Sequence, residues 1–216
     1  GKPTHNHLPN SDTPSSFLHK PENTVYFNAQ DGVSYRVFPV PFESPNHGSD
    51  ALVLDPANQD ASPFGWHDTN GAPGPEYTIT RGNNVIARDD IDNNNSGGVS
   101  PDGGASLTFD FPFNFNADPA EMLPAATTNL FYWNNIMHDV YYQYGFDEAS
   151  GNFQDNNYGN GGTSGDFVDA QAQDGGGTNN ANFSSPPDGN NPRMQMYLWN
   201  APAGNALTID GSLAGD

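Results

Sequence analysis

His5, His7, His19, His47, His67 and His138 are the only imidazoles in the chain. None begins the His-Glu-x-x-His string that puts two zinc ligands and a base on one helical face. His5 and His7 lie two apart, a spacing that chelates a metal if the segment is extended and otherwise marks two exposed side chains. His47 follows Pro45 and Asn46 in a turn and reads as a surface residue. His67, beside Trp66, reads as a packed loop histidine bonded to the main chain. His138 beside Asp139 reads as a structural pair, because neighbours on a helix point about a hundred degrees apart. There is no cysteine and no Gly-x-Ser-x-Gly elbow, so no nucleophile of either kind is marked. These patterns name no catalytic residue.

Acidic and amide oxygens offer a second chemistry. Asp89, Asp90, Asp92 and Asn94 sit together in DDIDNNNSGG, residues 89–98, as hard oxygen ligands with glycines that let the chain turn, the ingredients of a calcium site. The string lacks the EF-hand spacing that ends in a glutamate, and a solvated loop has the same composition. DEASGNFQDNNYGNGGTSGD, residues 147–166, repeats this character. A third chemistry is recognition through the backbone. In TNNANFSSPPDGNNPRMQMYLW, residues 178–199, Met194, Met196 and Leu198 alternate with Gln195, Tyr197 and Trp199, the period of a half-buried strand. Pro186-Pro187-Asp188-Gly189 supplies a turn, so residues 179–183 return along that strand as one arm of a hairpin. An arm at a sheet border leaves N–H and C=O groups unpaired, and an extended peptide can add itself there, with the Asn180 amide beside it. An ordinary Asn/Gly-rich hairpin has the same letters.

The elements that must position these residues are short strands and one helix. VYFNAQDGVSYRVFPV, residues 25–40, reads as two strands around Asp31-Gly32, and Ala51-Leu52-Val53-Leu54 continues a β-rich stretch with prolines at its ends. Tyr77, Ile79 and Arg81 alternate with Thr78 and Thr80, Gly82-Asn83-Asn84 turns, and Val85 to Ala87 returns as a second hairpin. LTFDFPFNF, residues 107–115, reads as a strand interrupted at Pro112, and FVDAQAQ, residues 167–173, as the strand that feeds the 179–199 hairpin. After Pro124, with Thr127 or Thr128 as N-cap, Leu130, Trp133, Met137, Val140, Tyr141 and Tyr144 recur at helical spacing until Gly145. Asn134, Asn135, His138, Asp139 and Gln143 fall on the other face or its margins. The expected helix spans about 127–144.

Composition narrows the class. With 34% hydrophobic residues, 24 Gly and 19 Pro, the chain has apolar material for strands and a helix but spends much of its length on loops. Its 26 acidic residues against 6 basic ones give a formal charge of −20, which works against binding nucleic acid or an anionic membrane. No run of 18 apolar residues is present to insert in a membrane. Such a charge suits an extracellular protein that meets salt and divalent cations. The absence of cysteine decides no compartment.

GGGTNNANFSSPPDGNNPRMQMYLW resembles the fungalysin family of secreted zinc metalloendopeptidases. So do VFPVPFESPNHG, SPFGWHDTNG with TRGNNVIA, and TTNLFYWNNIMHDVYYQYGFDEASGNFQ, and together these stretches fall within residues 25–199. The resemblance implies a thermolysin-like architecture in which an Asn-Ala pair on the active-site edge strand holds the substrate backbone. That role falls on Asn180 and Ala181, with Phe183 in the position of an aromatic that follows the pair. It also implies zinc held by two histidines one helical turn apart and a third ligand, with a glutamate as base. The chain contains no such set, so zinc is expected in a C-terminal catalytic part of the same polypeptide or of a second chain.

The expected fold is α+β, loop-rich, with mostly antiparallel strands and hairpins and one long helix, the N-terminal lobe of a thermolysin-like metalloprotease. An extended arm is expected at 1–24 and a β-rich subdomain at 25–120. The long helix and the substrate-binding hairpin follow at 121–200, then a tail at 201–216. The expected function is the substrate-binding part of a secreted, extracellular zinc metalloendopeptidase acting on protein or peptide substrates. The alternative is a non-catalytic, calcium-stabilised extracellular surface or assembly protein that reuses this lobe.

Overall fold

Prolines and Asn/Gly runs interrupt every apolar stretch of the sequence, and the strands are short for that reason. The computed structural model describes residues 32–42, 44–200 and 209–210. In chain order the strands are β1 (Ser34–Val37), β2 (Ala51–Leu54), β3 (Val85–Asp89), β4 (Thr108–Phe109), β5 (Val168–Ala172), β6 (Ala181–Ser184), β7 (Arg193–Met196), β8 (Leu198–Trp199) and β9 (Ile209–Asp210). One long helix, α1, spans Leu123–Gln143. The sheets run β2-β1-β4, β3-β5-β7-β6 and β8-β9. This is the α+β layout with one long helix, and its sheets are mixed. The pairs β1–β2, β6–β7 and β8–β9 are antiparallel, while β1–β4, β3–β5 and β5–β7 are parallel. Parallel neighbours need crossover connections, and α1 together with the long Asn/Gly loops provides the one between β3 and β5.

Several local expectations are revised, and others fall outside the described residues. β1 pairs with β2 and β4; the residues before Gly32, including the 1–24 arm with His5, His7 and His19, lie outside the described residues, as do 201–208 and 211–216. Residues 77–81 form single bridges, Ile79 to Asp102 and Arg81 to Ile86, in place of a strand. In 107–115 only Thr108–Phe109 is strand. The 194–199 strand breaks at Tyr197, where β7 ends and β8 begins in another sheet.

The helix starts earlier than expected. Asp118 accepts the Ala120 N–H at 3.0 Å and caps a 3₁₀ turn, Pro119–Met122, that runs into α1. Pro124 sits in the first turn, where a missing N–H costs nothing. Thr127 and Thr128 are therefore not caps but fully buried interior residues. The helix ends at Gln143, and Gly145 beyond it takes a φ of +91°, a conformation glycine adopts without strain.

The sense of the two helix faces differs from a simple apolar-in pattern. The first half is surrounded: Ala125, Ala126, Leu130, Phe131 and Tyr132 are buried together with Thr127, Thr128 and Asn129. In the second half Asn135 and Asp139 are buried, whereas Val140, Tyr141 and Tyr144 are 42%, 51% and 76% exposed. Asp139 is why. Its Oδ1 accepts from Ser62 Oγ (2.8 Å) and His138 Nδ1 (3.0 Å), and its Oδ2 from the Asn58 N–H (2.9 Å) and Trp66 Nε1 (2.9 Å). The network extends from Ser62 to Asn84 Nδ2 (3.2 Å), which also donates to Asn135 Oδ1 (3.1 Å). Buried polar groups are tolerated when partnered in this way. Gly82 lets the adjoining loops close on each other, since a Cβ there would lie 1.6 Å from the Trp66 carbonyl oxygen.

The aromatic centre of the core is Tyr35, Trp66, Phe109 and Phe131, with His67 among them. The His67 ring lies parallel to Phe109 at 5.3 Å between centroids. Its Nε2 shares a 2.7 Å hydrogen bond with the Tyr35 hydroxyl, and its Nδ1 faces the Arg81 carbonyl at 2.9 Å. Burial pulls the imidazole down to about 4, against a smaller upward pull from the Arg81 carbonyl.

Two outcomes follow from this core. Asp139→Ala strands several buried donors and should lower stability by about 3–5 kcal/mol in urea unfolding. His67 is neutral in the fold while the unfolded chain takes up a proton below about 6.5, so the unfolded state gains protons first. Its contribution is intact above pH 6.5 and falls away down to about pH 4, by about 3 kcal/mol in all. In His67→Gln, which can bond to both partners, unfolding curves at pH 7 and pH 4 should differ by that much less than in the parent.

Candidate functional site

The 179–199 hairpin forms as β6 and β7, in the register Ala181↔Met196, Asn182↔Gln195, Phe183↔Met194 and Ser184↔Arg193. β7 is held on its other side by β5, so β6 is left at the border of the four-stranded sheet. All four β6 residues are exposed. Asn180 and Ala181 therefore stand together at the head of an open edge, and the Asn180 side chain makes no hydrogen bond to the described residues. Asn180 is also exposed, and its carbonyl meets the Tyr197 N–H at 3.4 Å. Just before it Asn179 takes a φ of +58°, which asparagine tolerates better than most residues.

Register puts Ala181, Phe183, Met194 and Met196 on one face of the hairpin. Phe183 and the two methionines line a groove of about 370 Å³ whose opposite wall is the outward face of α1, with Trp133, Met137 and Tyr141. Phe146 and Phe153 are also in its lining, and the Phe153 and Phe183 rings lie 6.0 Å apart. Phe183, 45% exposed, is thus both a member of the edge strand and part of the groove lining. Sequence reasoning placed Phe183 on the edge but missed the groove. Its signal was present in the Trp133/Met137/Tyr141 periodicity, which marks an apolar stripe without saying whether anything covers it.

The four residues of the acidic loop are placed differently from one another. Asp90 is buried and accepts main-chain N–H groups of Asn94 (3.1 Å) and Asn95 (3.0 Å); burial holds its carboxyl above the usual range, opposed by those amides. Asp89 Oδ2 accepts from Val99 N (2.8 Å), and Asp92 Oδ2 from Asn94 Nδ2 (2.6 Å). Inside the loop lies a cation from the protein itself. Arg88 donates to the carbonyls of Asn95 (3.2 Å) and Gly97, and its guanidinium forms a paired contact with Asp169 at 2.8 and 2.7 Å. The other arginines are similarly engaged. Arg36 bonds Asp50 and Asp110, Arg81 lies over the Tyr77 ring (4.4 Å to its centre), and Arg193 bonds Asn95.

The described residues do not fit a zinc site, since no three His, Asp or Glu side chains among them gather to hold a metal ion. His67 has both ring nitrogens engaged in the core. His138 has Nδ1 on Asp139 and Nε2 3.3 Å from the Asn152 amide, and His47 Nδ1 meets Ser44 Oγ at 3.2 Å. What this region presents is an open strand edge, a side-chain amide and an apolar groove.

The family model described as Fungalysin metallopeptidase (M36) matches residues 34–215. The chain is 43% identical over 195 residues to a protein of Arthroderma benhamiae named "Probable extracellular metalloproteinase 2", covering 85% of this chain and 30% of that protein. It is 42% identical over 195 residues to "Extracellular metalloproteinase 2" of Trichophyton rubrum and 41% identical over 189 residues to "Extracellular metalloproteinase 5" of Trichophyton tonsurans, again covering 85% of this chain and 30% of each relative. The chain thus spans a little under a third of the length of these relatives. Among the described residues no helix is long and apolar enough to cross a membrane.

Proposed function

The chain belongs to the fungalysin metallopeptidase family, and on that premise we propose that it is the N-terminal, substrate-binding part of a secreted zinc metalloendopeptidase. The observation that carries this reading is the open border of β6, with Asn180 and Ala181 at its head. A peptide laid along that border gains main-chain hydrogen bonds whatever its sequence, and the Asn180 amide, with a donor and an acceptor, fixes its position along the strand. Phe183 offers apolar contact to a side chain of the same peptide. Zinc, when bound in the remainder of the protease, supplies the activated water. The residues of this chain hold and orient the substrate.

The remainder of the protease is the proposed partner of this chain. The apolar groove between α1 and the β6–β7 hairpin supports that reading, since Tyr141 and Phe183 in its lining are about half exposed and apolar surface is costly to leave in water. The loop at 89–98, with Asp89, Asp90, Asp92 and Asn94, is proposed as a weak calcium site that forms only when the ion draws the loop in, because Asp90 is turned to main-chain amides and the Asn94 side-chain oxygen to Ser96. Affinity belongs in the range of extracellular modules, roughly 10⁻⁴–10⁻³ M, because Arg88 already serves the loop carbonyls as a cation. Calcium at ten times its Kd should add about 1.4 kcal/mol and raise Tm, with reversal by a chelator and loss of the effect in Asp92→Asn. A melting curve indifferent to both additions removes calcium from the loop.

Asn180→Ala tests the substrate-binding reading in the complete protease. It should lower kcat/KM for peptide hydrolysis by about 10- to 100-fold, equivalent to roughly 1.4–2.7 kcal/mol, with zinc content and Tm unchanged. Unaltered hydrolysis takes Asn180 out of the substrate site, and loss of zinc or of folding makes it a structural residue.

A further inference from the structure

We infer that Tyr197 is a positioning residue for the peptide-binding edge, acting through Asn182 and the Asn180 carbonyl; the inference rests on the substrate-binding reading of β6. Tyr197 is the single residue between β7 and β8, where the chain leaves one sheet for another, and it is buried at 8% exposure. It grips the edge strand twice. Its N–H points to the Asn180 carbonyl at 3.4 Å, and its hydroxyl accepts from Asn182 Nδ2 at 2.7 Å. Ala181 is the one residue between these two contacts.

The other side of Asn180 is held by Asn179. The Asn179 N–H donates to the Leu198 carbonyl at 2.9 Å, and its side-chain oxygen accepts from the Asn200 N–H at 2.7 Å. Each contact comes from the strand leaving Tyr197, so the break at Tyr197 governs the whole clamp. The Tyr197 ring is itself packed against Gly177, where an added Cβ would stand 3.4 Å from it. A border strand four residues long has a ladder on one side only and frays readily. Every degree of freedom it keeps must be given up when a peptide pairs with it. Tyr197 removes that freedom beforehand, while the Asn180 side chain is left to the substrate.

The contact is deleted with little else by Tyr197→Phe, assayed in the complete protease on two substrates. One is a hexapeptide long enough to run along β6, and the other a blocked dipeptide amide that covers only the residues at the cleaved bond. For the hexapeptide kcat/KM should fall about 5- to 10-fold, mainly through KM, and for the dipeptide less than about twofold. Asn182→Ala removes the same hydrogen bond from its exposed end and should reproduce this pattern even if the tyrosine variant folds poorly. The double variant should be no worse than either single one, because both remove one interaction. Equal losses on the two substrates, additive losses in the double variant, or no loss at all overturn the inference. Asn180→Ala run in parallel separates the two levels: if it too leaves hexapeptide hydrolysis intact, the substrate-binding reading has failed, whereas impairment by Asn180→Ala alone rejects only the role of Tyr197.

Discussion

A carboxylate taken out of water has to be met by donors, and Asp139 is met by four. The arrangement ties the second half of α1 to the 58–66 loop and, through Ser62 and Asn84, to the start of β3. It also sets the rotation of the helix. Residues two apart on a helix differ by about 200°, so turning Asp139 inward turns Met137 and Tyr141 outward. The apolar groove beside the β6–β7 hairpin is thus a geometric result of a buried acid on the opposite side of the same helix. Satisfying one polar group in the core leaves the apolar side chains opposite it only partly covered.

The hairpin solves a related problem of exposure. A free strand border invites unwanted pairing, and native proteins keep such borders short or polar. β6 has only four residues, two of them Asn182 and Ser184, and its one large apolar side chain, Phe183, belongs to the groove lining as well. The open edge is therefore narrow.

Much of this was legible in the letters. The period of Leu130, Trp133, Met137 and Tyr141 gave the helix, and the Pro-Pro-Asp-Gly turn gave the β6–β7 hairpin, with Ala181 at the head of the strand on the sheet border. Where the reading missed, a nonlocal contact outweighed a local preference. Thr127 and Thr128 are good caps in isolation, but Asp118 and Pro124 start the helix first. The structural pair of His138 and Asp139 was legible and forms, but Asn135 and Asp139 fall on the polar face of the helix, and only the fold brings Asn84, Ser62 and Trp66 to meet them. The parallel pairing of β5 with β3 and β7 leaves no mark in a strand five residues long. Nor does the acidic run at 89–98 announce that Arg88, the residue just before it, bends back into its own loop.

That use of arginine has an effect well beyond the loop. All four arginines of the chain are drawn into contacts with carboxylates, carbonyls, amides or rings of the same molecule. The outward electric field is therefore dominated by acids with few cations to interleave them, on a chain of formal charge −20. At 0.1 M salt such charges feel one another over about 10 Å, and at 1 M over only about 3 Å. Dissolved ions do for this surface what lysines do for most others, and the folded chain is under less electrostatic strain in brine than in dilute buffer.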